Sequence, residues 1–253
     1  MPNFTQPHFV FLGSTETYGK FVPHPFTQLL QQALDMPCAN LAALNAGVEM
    51  YLKDPSILLA CADARASVIA VMGAHNLSNR FYLVHPRRND RFIKPSKMLS
   101  TLYREVDFSD IHFTRHLLQT LAEADAVKFS IVVDELKSAW TYRMKSLLET
   151  IEGRTILLWM SNAPPSEPAE HPPRERTADL GPDPLFVDQQ MIDEISPLVT
   201  QVIECIAKPE ATAASSDGMI LCEGDAGAAE KMPGPAFHQQ VAHQLYEALS
   251  AMK

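Results

Sequence analysis

The chain has 253 residues, 46% of them hydrophobic and 20% charged, which excludes a disordered, collagen-like or coiled-coil protein and is enough to bury a sizeable core. Its formal charge of −9, from 30 acidic against 21 basic residues, removes the broad basic face that general binding to nucleic acid needs. No apolar run approaches the ~18 residues of a membrane span, and the first residues lack the charged start and apolar stretch of a signal peptide, so a cytoplasmic protein is expected.

Residues 8–12 (H-F-V-F-L) form a short apolar run stopped by Gly13, the pattern of a buried strand ending in a turn. A helix is predicted over 25–34, where Phe26, Leu29, Leu30, Ala33 and Leu34 share a face and Pro25 is tolerated in the first turn. A short strand at 38–41 and a turn at Asn45-Ala46-Gly47 follow. A helix from about Pro55 leads into 67–72 (S-V-I-A-V-M), the clearest strand in the chain, which also ends at a glycine, Gly73. Residues 98–150 read as helical, and 155–160 (T-I-L-L-W-M) as the next buried strand. Seven prolines among residues 162–184 make a loop. A helix is predicted at 187–195, a strand at 198–206 and a closing helix at 236–252, whereas 209–229 fits no element. Trp140 and Trp159, at helix and strand spacing, read as core residues.

Near-continuous apolar strands alternating with helices indicate a parallel sheet covered on both faces. Ligands bind such a sheet beyond the carboxyl ends of its strands. The segments there are Gly13-Ser14-Thr15-Glu16-Thr17-Tyr18-Gly19, the turn at Asn45-Ala46-Gly47, and Gly73-Ala74-His75-Asn76. The first is a near miss to a phosphate-binding loop, with five residues between its glycines instead of four and Phe21 after Lys20. No motif asks for a cofactor. His112 and His116 have the i, i+4 spacing of metal ligands on a helix, but without a third ligand they read as a surface or hydrogen-bonding pair. The four cysteines, Cys38, Cys61, Cys205 and Cys222, contain no C-x-x-C pair, which suits reduced, buried thiols.

In order and position, these strand-end segments resemble the conserved blocks of the SGNH (GDSL-like) hydrolase superfamily. The block G-D-S-x-T-x-G matches Gly13 to Gly19, with Ser14 at the aspartate position and Thr15 at the nucleophile position. The glycine of the second block matches Gly47, and G-x-N-D matches Gly73 and Asn76. The terminal D-x-x-H-P block matches Ala229-Glu230-Lys231-Met232-Pro233, with alanine and methionine in place of the acid and the base. The resemblance implies a single three-layer α/β/α domain, a doubly wound parallel sheet of SGNH or flavodoxin-like type, with a helical insertion at about 98–150. It implies oxyanion donors at the Thr15 N–H, the Gly47 N–H and the Asn76 amide.

A methionine cannot accept a proton, so the family's triad cannot be carried over. Three readings follow. A hydrolase or acyltransferase acts on a polar, anionic or glycan-like ester with Thr15 or Ser14 as hydroxyl and a relocated base; His75 is the best placed for that role, followed by His238 and His112. Alternatively, catalysis is lost and the pocket binds an anionic small molecule or glycan. In the third, the proline-rich loop is the working part of an interaction protein. Residues 80–97 hold six cations, Arg80, Arg87, Arg88, Arg91, Lys94 and Lys97, against one acid, Asp90. Arginine forks favour carboxylate, sulfate or phosphate, so Arg87 and Arg88 are expected to contact an anionic substrate. The competing explanation is that Asp90, Glu105, Asp107 and Asp110 neutralise these cations.

Overall fold

The computed structural model describes residues 6–167, 180–213 and 216–253. Five strands, β1 (Phe9–Leu12), β2 (Cys38–Asn40), β3 (Ala66–Ala70), β6 (Thr155–Ser161) and β7 (Gln201–Ile206), form one sheet. Its order is β2-β1-β3-β6-β7 and every pairing is parallel, the flavodoxin-like order. Two further strands, β4 (Tyr82–Val84) and β5 (Phe92–Pro95), make a separate antiparallel hairpin.

Helices cover both faces of the sheet, in three layers. Alternation along β1 explains why: Phe9 and Phe11 point into one core and Val10 and Leu12 into the other, since successive strand side chains face opposite sides. The Phe9 side is closed by α2 (Phe26–Leu34) and α11 (Pro235–Ser250) through Phe26, Leu30, Val241 and Leu245. The Val10 side is closed by α3 (Val48–Leu52), α7 (Ala126–Thr150) and α8 (Gln189–Ile195) through Val48, Tyr51, Leu136, Trp140 and Ile192. Asp125 caps α7 by accepting from the N–H groups of Val127 and Lys128, and Asp54 caps α4 (Pro55–Ala62) in the same way. Both tryptophans are core residues, and the Trp140 indole donates to the Met72 carbonyl at 2.7 Å.

Several expectations are revised. Residues 98–150 are not continuously helical: α5 (Lys97–Leu102) and α6 (Thr114–Ala124) are separated by 103–113. That stretch is extended at its end because Arg91 and Phe113 pair in an antiparallel bridge and the Phe92 N–H donates to the His112 carbonyl. His112 therefore precedes α6 and does not share a helix face with His116. The basic stretch is the β4–β5 hairpin, which the short, charged strands concealed. The segment 209–229 contains two short helices, α9 (Pro209–Ala213) and α10 (Ala226–Ala229). All four cysteines are free, Cys61 and Cys205 buried but Cys222 exposed. Part of the proline-rich loop, 168–179, lies outside the described residues. Among the described residues, no helix is long and apolar enough to cross a membrane.

Candidate functional site

In the order β2-β1-β3-β6, the connections that leave β1 and β3 run to opposite sides, so a crevice opens beyond β1 and β3. A cavity of about 190 Å³ lies there. Its wall includes Ser14, Thr15, His75 and Asn76, together with Glu16, Arg115, Asp183, Lys231 and Met232. Three of the strand-end segments thus meet. Met232 lines the cavity at the position where the resemblance puts the family's histidine.

Thr15 opens α1 (Thr15–Tyr18), a single turn directly after β1. Its hydroxyl is committed in both directions to one residue: Oγ1 accepts from the Asn45 N–H at 2.9 Å and donates to Asn45 Oδ1 at 3.2 Å. Among the described residues, no histidine or carboxylate is bonded to it. Ser14, the N-cap, is half-buried and makes no side-chain cap bond.

Gly47 has φ −113° and ψ 172°, an extended conformation open to any residue, so backbone angles do not require glycine. Space does: a Cβ there would come within 1.8 Å of the Asn76 carbonyl oxygen. The Gly47 N–H donates to Asn89 Oδ1 at 3.1 Å, and so the structure does not direct it into the cavity as an oxyanion donor. Asn76 is buried, its Oδ1 accepting from Thr114 at 2.6 Å and its amide donating one N–H to the Asn45 carbonyl at 3.1 Å. An amide nitrogen has two hydrogens, which leaves one for a ligand.

His75 is buried on the cavity wall, and its Nδ1 has no hydrogen-bond partner among the described residues. Burial, reinforced by the Arg115 charge, holds its pKa well below the ordinary histidine value, so the ring is neutral at pH 7. Tyr82 donates to its backbone carbonyl at 2.7 Å. His238 has a different place: fully buried in α11, it accepts the Phe26 N–H through Nδ1 at 3.1 Å and stacks on the Phe26 ring. It is a packing residue between α11 and α2, and it does not line the cavity.

Glu16 follows Thr15 and is the carboxyl that sequence reasoning passed over. Burial first, then the nearby negative charge of Asp183, raises its pKa to about 7, against opposing effects of its own backbone N–H and of Arg115. Arg115 Nη2 grips Asp183 through both carboxylate oxygens, at 2.6 and 2.7 Å. The signals for these groups were present but were read otherwise. Glu16 lies inside the quoted motif, and Thr114 and Arg115 lie between the histidines read as a surface pair.

Arg87 and Arg88 do not reach the cavity. Both are exposed in the loop joining β4 to β5, where their N–H groups donate to His85 Nδ1. The same loop acts on the site through its inward residues. Asn89, fully buried, accepts from the N–H groups of Gly47 and Met50 and donates to the carbonyls of His85 and Pro86. Asp90 accepts from the Asn45 amide at 3.3 Å. The expected neutralisation is also different: Glu105 pairs with Lys128, and Arg80 with Glu135 on α7. Among the described residues no group of three or more His, Cys, Asp or Glu is arranged to hold a metal ion.

Among solved structures, the chain is similar to the lipase Lip_vut3 from a goat rumen metagenome, with 12% identity, 96% of this chain and 97% of that one covered, and a TM-score of 0.47. It is similar to the psychrotrophic esterase EstA from Pseudoalteromonas sp., with 12% identity, 96% and 99% coverage and a TM-score of 0.48. A third similarity is to a family two carbohydrate esterase from Clostridium thermocellum, with 11% identity, 97% and 64% coverage and a TM-score of 0.45. No curated protein matches in sequence. A family model described as a domain of unknown function, DUF6473, matches residues 2–253, and the chain belongs to that family.

Proposed function

We propose that the cavity beyond β1 and β3 is the site of an ester hydrolase or acyltransferase acting on a small polar substrate, with Glu16 as its proton-transfer group. One observation carries this reading: a carboxyl whose pKa is raised to about 7 shares a cavity wall with a half-committed asparagine amide and a neutral histidine. General acid–base catalysis is most effective when the group titrates near the working pH. Side chains at successive positions of a helical turn diverge by about 100°, so Glu16 acts on a bound molecule and not on the Thr15 hydroxyl beside it.

In this reaction the Glu16 carboxylate takes a proton from water or from an acceptor hydroxyl as that oxygen bonds to the ester carbonyl carbon. The carbonyl oxygen gains negative charge and is met by the remaining Asn76 N–H, with the Thr15 N–H at the start of α1 as a second donor. The C–O bond to the leaving alcohol then breaks, and Glu16 returns the proton to that oxygen. The cavity volume of about 190 Å³ suits a short acyl group or part of a sugar ring.

Short-chain nitrophenyl esters and acetylated sugars, assayed against Glu16→Gln and Asn76→Ala, test this. Glu16→Gln is expected to lower kcat/KM about 100-fold or more and to abolish the rise in rate through pH 7; full activity in that variant overturns the assignment. A second reading is favoured by the commitment of the Thr15 hydroxyl to Asn45 and of the Gly47 N–H to Asn89: a pocket that binds its ligand without turnover. Absence of turnover across the panel, with a ligand-dependent rise in Tm that Asn76→Ala removes, selects it.

A further inference from the structure

We propose that the β4–β5 hairpin docks this protein on an anionic lipid surface. Residues 80–97 carry +5 in a chain whose total is −9. Two of the six cations are used within the fold, Arg80 with Glu135 and Arg91 over the Phe113 ring at 4.1 Å. The other four, Arg87, Arg88, Lys94 and Lys97, are exposed and have no ion pair among the described residues.

Apolar side chains stand among them. Leu83 is 42% exposed and lies directly across the ladder from Lys94, on the outer face. The register shifts after Leu83, leaving Ile93 as the extra residue of a bulge and 52% exposed. Met98, at the start of α5, is 53% exposed. Strand alternation explains the division: Tyr82, Val84 and Phe92 face the core, and what remains faces outward.

Three exposed aliphatic side chains and four free cations within residues 83–98 match the interface of an anionic bilayer. Cations pair with lipid headgroups, and short apolar side chains enter the headgroup boundary. An acidic polysaccharide would be held by the cations but offers nothing to Leu83, Ile93 and Met98. The acidic remainder of the molecule is repelled by the same surface, which orients the hairpin toward it.

The test uses the full chain with vesicles of neutral phosphatidylcholine alone or mixed with about one-third phosphatidylserine or phosphatidylglycerol. Co-sedimentation with the anionic vesicles only, weakening steeply as salt rises, is the expected result. At roughly fivefold in partitioning per cation, Arg87→Glu with Arg88→Glu lowers binding more than 20-fold. Leu83→Ser with Ile93→Ser weakens it at unchanged charge, and circular dichroism verifies that both double variants are folded. Failure to bind anionic vesicles at low salt, equal binding to neutral ones, or binding to heparin without binding to vesicles overturns the proposal.

Discussion

Gly47 illustrates how a residue's role is decided by what crosses it. Its backbone angles are ordinary, yet a methyl group would lie 1.8 Å from the Asn76 carbonyl oxygen. Gly47→Ala must therefore separate the second and third strand-end segments, at a cost of about 2 kcal/mol or more, read as a lower urea midpoint. Asn76 would move with the displaced turn, and any activity should fall along with stability. Two of the buried histidines, His75 and His238, are told apart in a similar way. The Nδ1 of His238 is occupied by a backbone N–H, whereas that of His75 has no partner among the described residues.

At the scale of elements, the hairpin and α6 build the site without belonging to the sheet. Asn89 ties the 45–47 turn to the β4–β5 loop, Tyr82 holds the His75 carbonyl, and Thr114 holds the Asn76 side chain. Removing the Asn89 amide strips the Gly47 N–H of its acceptor and leaves the Met50 N–H with only the Gly47 carbonyl. Asn89→Ala is expected to cost about 1–3 kcal/mol, and hydrogen exchange should show the Gly47 amide losing protection while β3 and β6 keep theirs. Equal loss across the sheet would mean that the loop supports the whole fold and not the turn alone.

Over the whole molecule, buried titratable groups set opposing pH dependences. The pKa of His238 is lowered to about 4 by burial, and that of His75 is lowered as well. Unfolding lets each take up a proton, so the stability they contribute is complete above about pH 6.5 and is lost as pH falls toward 4. Glu16 works in the other direction. With its pKa raised from 4.5 to about 7, it contributes fully below pH 4.5 and loses that contribution as pH rises through 7. Relative to Glu16→Gln, the wild type should lose on the order of 2 kcal/mol between pH 5 and pH 8, measured as the difference in urea unfolding free energy. A difference independent of pH would place the carboxyl in water.

Sequence alone determined the layered sheet, because each strand is a short apolar run closed by a turn residue and each covering helix repeats its apolar face every three to four residues. It also marked the strand ends as the place of the cavity, since parallel connections leave loops there and Gly13, Gly47 and Gly73 punctuate them. The separation of α5 from α6, the hairpin and the commitments of Gly47 and Thr15 were decided only by tertiary structure. The commitments of Thr15 and Gly47 depend on Asn45 and Asn89, 30 and 42 positions away, and the break before α6 on the pairing of Phe113 with Arg91, 22 positions earlier. Local periodicity carries no information about such pairings. The Glu16 titration is the same kind of property: a glutamate in a polar motif looks fully solvated until the fold partly buries it and brings Asp183, more than 160 residues later in the sequence, beside it.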